Sequence, residues 1–150
     1  MSDADHIPDL VKLASDPNQL VAAQHVAADR LLKATGEKYP HDGCAITLSV
    51  LMQDVGIDVK DTYQALAFGH MLESKRNWQR IPLGEQETGD IGSTCGPVAH
   101  HGFDHVYLVL KKDNDDEMII ADNQQPRPHF RWVSGKGGKT PTKFFLRAPK

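Results

Sequence analysis

Cys44 closes the run Tyr39-Pro40-His41-Asp42-Gly43-Cys44, directly ahead of an apolar helical stretch over residues 45–55. Downstream, His105 opens the β-rich run His105-Val106-Tyr107-Leu108-Val109-Leu110. A thiol attacks as its thiolate, which is scarce at neutral pH. The N–H groups and dipole of a helix N-terminus favour the anion, and a histidine held beside the sulfur can take its proton. Asp42 can cap the same turn, but its charge opposes a thiolate, so the imidazole partner matters more. The backbone N–H of Cys44 is placed to serve as one oxyanion donor.

Eight histidines compete for the role of base. His6 reads as part of an N-terminal tail, and His25 and His70 fall in helices as structural or surface groups. His41, His100 and His101 fall in loops. His105 starts a strand whose alternate residues, Tyr107 and Val109, share its face. A strand holds a side chain more rigidly than a loop does, which selects His105. The imidazole also needs an acceptor that fixes its tautomer. The next β-rich run ends in Ala121-Asp122-Asn123-Gln124, and a short antiparallel connection would bring that end beside His105. Both faces of this run are apolar, so alternation does not choose between Asp122 and Asn123. The stronger interaction with imidazolium favours Asp122.

The elements that must position these groups follow from punctuation and period. Asp16-Pro17-Asn18-Gln19 is an N-cap with proline at N1. Leu20, Ala23, Ala27, Leu31 and Ala34 then recur at helical spacing until Gly36. The helix that follows Cys44 is apolar all round, through Ile46, Leu48, Val50, Leu51, Met52 and Val55, and should be buried. Gly56 ends it. A third helix fits residues 62–75. After Trp78 the period changes, and residues 105–111, 118–122, 129–133 and 143–146 read as strands. Residues 112–116 form a polar hairpin connection, and residues 134–139 a glycine-rich loop. Helices followed by an antiparallel meander make an α+β domain. Trp78 and Trp132 are read as core.

The chain has 150 residues, 39% hydrophobic and 25% charged, with a net charge of −3. This fits one domain, with a helical part over about 1–76 and a sheet part over about 78–148. The charge balance excludes an electrostatic case for nucleic acid. The basic residues near the C-terminus are read as a solvated face. No stretch is long enough to span a membrane. No apolar segment follows the polar Met1–His6 run, so no signal peptide is expected. The chain is read as cytoplasmic when made, reaching any outside substrate by another export route or as a piece of a longer exported protein. Cys44 and Cys95 do not make a disulfide framework, and Cys95, in Ser93-Thr94-Cys95-Gly96-Pro97, is read as structural.

Tyr39-Pro40-x-x-Gly43-Cys44 before a helix, Gly89-Asp90-Ile91, His105-Val-Tyr-Leu-Val and Asp122-Asn123-Gln124 together resemble the NlpC/P60 and CHAP cysteine peptidases and amidases. The resemblance spans about residues 39–125. It implies a reduced papain-like α+β fold and hydrolysis of peptide or amide bonds in bacterial peptidoglycan. Cys44 would be the nucleophile, His105 the base and Asp122 the residue that orients the imidazole, with no cofactor. Tyr39 and Asn123 are the candidates on the substrate side, and Tyr39 or His41 for a side-chain oxyanion donor. The chain departs from the pattern at Gly43-Cys44-Ala45-Ile46, which replaces Asp-Cys-Ser-Gly and lacks the Gln of Gly-Gln-Cys. A toxin carried by a dedicated secretion system, or a catalytic domain of a longer wall enzyme, would fit, and an inhibitor or immunity protein is then a fitting partner. Two rival readings remain: a binding module that keeps the fold, and a metal site among His100, His101, Asp104, His105 and Cys95. The second lacks the usual zinc-ligand spacing.

Overall fold

The computed structural model describes residues 1–36, 43–100 and 102–150. Among the described residues, four helices precede a six-stranded antiparallel sheet: α1 (Asp3–Ser15), α2 (Pro17–Thr35), α3 (Gly43–Asp54), α4 (Ala65–Lys75), then β1 (Gln79–Ile81), β2 (Ile91–Ser93), β3 (Val106–Lys112), β4 (Glu117–Ala121), β5 (His129–Trp132) and β6 (Phe144–Arg147). The architecture is α+β.

Asp16 caps α2 by accepting from the Asn18 N–H at 2.9 Å, and Pro17 occupies the first turn. Gly36 closes the helix at φ +77°, a left-handed conformation that suits glycine. The buried stripe is Leu20, Ala23, Ala27 and Leu31. In α3 every residue from Gly43 to Met52 is buried. Its two hydroxyls return to the helix: Thr47 Oγ1 donates to the Gly43 carbonyl at 2.7 Å and Ser49 Oγ to that of Ala45 at 2.9 Å. They therefore cost little in an apolar interior.

The N-terminal segment corrects the sequence reading. It is a helix, and His6 is a half-buried residue within it. Ile7, Leu10, Val11 and Ala14 make its inward stripe, and Pro8 inside the helix masked the pattern. Asp3 anchors it, accepting from Arg76 Nε at 2.8 Å and from Trp78 Nε1 at 2.9 Å. Trp78 is accordingly buried, while Trp132 is half-buried on β5, stacked on Phe130. The third helix starts later than residue 62. The Thr62 N–H is bonded to Ser49 Oγ and its hydroxyl to the Lys60 carbonyl, which commits that residue outside a helix.

The strand order is β1-β6-β2-β3-β4-β5. The meander therefore covers only β2 to β5, and β6 inserts between β1 and β2. Gly92 pairs with Tyr107 on one side and Phe145 on the other. The short strands β1 and β2 carry three residues each, too few to show a period. The helices pack on the sheet face that presents Ile91, Val106, Leu108 and Leu146. A second core of Tyr107, Val109, Met118, Ile120, Val133 and Phe145 fills the opposite face. A bulge between Val109 and Lys111 breaks the β3–β4 register.

Candidate functional site

His105 immediately precedes β3. Its N–H donates to Thr94 Oγ1 at 2.9 Å and its carbonyl accepts from the Thr94 N–H at 3.0 Å. The backbone is thus pinned on both sides just beyond the β2–β3 ladder. The residue is buried, and its ring tilts against Tyr107 with centroids 6.2 Å apart.

Asp122 immediately follows β4. The pairing of Leu108 with Ala121 sets it diagonally across from His105. His105 Nε2 lies 2.7 Å from Asp122 Oδ2, and the carboxylate is fully buried. The other oxygen, Oδ1, accepts from the Gln124 N–H at 2.9 Å and meets His129 Nε2 at 2.9 Å. The Asp122 carbonyl accepts from Gln24 Nε2 of α2 at 2.8 Å, and the same amide donates to the Gln125 carbonyl at 2.7 Å. The first helical layer thereby fixes the turn that carries the carboxylate.

Burial by itself would raise the Asp122 carboxyl. The hydrogen bonds from His105 and His129, with their charges, outweigh burial and hold it well below the ordinary carboxylate range. A buried carboxylate with both oxygens engaged is an effective anchor for an imidazole tautomer. With Nε2 committed to Asp122, Nδ1 is the His105 nitrogen left to act as a base. Among the described residues the ring's hydrogen bond is the one to Asp122.

Cys44 is the second residue of α3 and is 2% exposed. It packs into the helix-side core, the one that also holds Val106 and Cys95. α3 lies against β3, the strand that His105 precedes. Cys44 thus stands in the first helical turn, as the sequence reading requires, while His105 and Asp122 share the sheet face of Tyr107 and Ile120. Neither cysteine is in a disulfide. Burial raises the Cys95 thiol, against a smaller lowering by its Ser93 contact.

Asn123 is half-buried, and its Oδ1 is buried without a hydrogen-bond partner among the described residues. Tyr39, His41 and Asp42 lie outside the described residues, as does His101. His100 is exposed, with its N–H on Asp104 Oδ2 at 2.8 Å. Among the described residues no group of three His, Cys, Asp or Glu side chains is arranged to hold a metal ion. A cleft of about 560 Å3 runs beside this part of the sheet. Ser93, Cys95 and Pro97 wall one side; His70 of α4, Arg80 and Phe144 line the remainder. None of Cys44, His105 and Asp122 lines it.

His129 has no role in the sequence reading beyond opening a strand. The available signal was its place at the start of a strand that follows the Asp122 turn. Its meeting with Asp122 requires the Ile120–His129 pairing, which the sequence does not state. No helix among the described residues is long and apolar enough to cross a membrane. Comparison with protein-family models, with curated proteins and with solved structures gave no match to this chain.

Proposed function

We propose that this protein is a cysteine hydrolase of peptide or amide bonds, with a papain-like arrangement in its α+β fold and bacterial peptidoglycan as its substrate. The observation that carries this reading is the 2.7 Å contact between His105 Nε2 and the buried Asp122. It presents an oriented imidazole with its second nitrogen in reserve, in a chain whose Cys44 begins a buried helix.

In this reading His105 Nδ1 takes the proton of the Cys44 thiol, which requires the sulfur, in the helix-side core, and the ring, on the Tyr107 face of the sheet, to meet where β3 begins. The thiolate attacks the substrate carbonyl carbon, and the Cys44 N–H supports the developing oxyanion. Collapse forms a thioester and expels the amine, which leaves with the proton from His105. Water, deprotonated at the same nitrogen, then attacks the thioester and releases the carboxylic acid and the thiol. Asp122 keeps Nε2 protonated and balances the imidazolium formed between the two half-reactions.

The test is incubation with purified peptidoglycan and identification of the products by mass. New amine and carboxylate termini are expected with the wild type and none with Cys44→Ala, whose melting temperature should stay close to wild type. Full cleavage by that variant would end the proposal.

A further inference from the structure

The Asp122 carboxylate is shared by two imidazoles that come from different strands. His105 Nε2 takes Oδ2 at 2.7 Å, and His129 Nε2 takes Oδ1 at 2.9 Å. The His105 side chain is 8% exposed and that of Asp122 0%, whereas that of His129 is 19% exposed. The chain of contacts therefore runs from an inner ring, through a carboxylate cut off from solvent, to an outer ring at the surface. Oδ1 already has a donor in the Gln124 N–H. Geometry alone would be met without His129; a second imidazole adds a group that can carry charge.

We propose that His129 is a positioning residue of this site, holding the Asp122 carboxylate ionised and aimed at His105 Nε2, so that the proton affinities of the two rings are coupled through one buried anion. The role assigned to His105 rests on the hydrolase reading above; the coupling itself does not. The other titratable or charged groups on this face are few. Tyr107 of β3 stays neutral, since burial pushes its phenol up to about 12. Arg131 of β5 lies with its guanidinium 5.0 Å from the centre of the Tyr107 ring, and its Nη2 donates to the Thr140 carbonyl at 2.8 Å. Gln24 and Gln124 supply dipoles only. One anion faces two rings.

The deciding experiment is an NMR titration of the His105 and His129 ring Cε1–H signals in the wild type and in His129→Gln. Glutamine keeps a donor of similar reach and removes the titrating group. The wild-type His105 curve should be broadened or two-step, and the His129→Gln curve a single step with a shifted midpoint. Superimposable His105 curves in the two proteins would overturn the coupling. Peptidoglycan hydrolysis supplies the second readout. In His129→Leu, kcat should fall at least about tenfold below His129→Gln, the scale seen when an outer hydrogen bond to a working imidazole is lost at metal sites. Equal kcat in both variants and the wild type would overturn the positioning role. A wild type that cleaves nothing removes the hydrolase reading instead, and the titration then decides alone.

Discussion

His105 and Asp122 meet at 2.7 Å although they belong to different strand ends, one just before β3 and the other just after β4. The antiparallel pairing of Leu108 with Ala121 produces the contact. The Asp122 carboxylate is removed from water yet held ionised by the hydrogen bonds of the two rings.

Asp122→Asn should destabilise the fold by about 1–3 kcal/mol at neutral pH, because one amide oxygen cannot accept from two imidazoles and a buried donor is left unmatched. The carboxyl of Asp122 titrates lower in the folded chain than its ordinary value of 3.8. Its stabilisation is therefore complete above the unfolded value, near pH ~4, and is lost as pH falls from there through the lower folded value. Urea melts across pH 2–7 should show an acid-side loss in the wild type that is much reduced in Asp122→Asn. Parallel pH curves for the two proteins would contradict the linkage. In a hydrolysis assay Asp122→Ala should lower kcat more than Asn123→Ala; the reverse order would give the orienting role to Asn123.

Thiol kinetics separate an activated sulfur from a structural one. Cys44 is 2% exposed and Cys95 4%, so access alone does not favour Cys44. Burial raises the Cys95 thiol, which should make it slow toward iodoacetamide at neutral pH. Under the proposed mechanism Cys44 should be alkylated at least about tenfold faster, with the advantage lost in His105→Ala. Peptide mapping by mass, sampled over time, reads both rates. Equal rates, or an advantage that survives His105→Ala, would remove the thiolate–imidazole pairing.

The sheet beneath the site tolerates no side chain at Gly92. A Cβ there would lie 2.2 Å from Cζ of Tyr107 and 2.5 Å from its hydroxyl. That ring is fully buried and its hydroxyl shares a 2.8 Å hydrogen bond with Thr142 Oγ1. Gly92→Ala should therefore cost at least about 1–3 kcal/mol, the usual range for overpacking. Combining it with Tyr107→Leu should recover part of the loss. Additive losses in a denaturant double-mutant cycle would show that the clash is not the cause.

The sequence by itself determined the features that are written locally. The cap at Asp16-Pro17 and the stop at Gly36 bound α2. The all-round apolar pattern after Cys44 foretells the burial of α3, and the change of period after Trp78 marks the passage from helices to strands. Tertiary structure decided the rest. α1 becomes a helix against Pro8 because Asp3 reaches Arg76 and Trp78, far along the chain. β6 enters between β1 and β2 because Phe145 completes the core around Tyr107. His129 reaches Asp122 only through the β4–β5 register. Caps and periodicity act between residues a few positions apart, so they leave a mark in the sequence. Strand order, register and the sharing of one buried carboxylate depend on pairing between distant segments, where a one-residue slip turns each side chain to the other face.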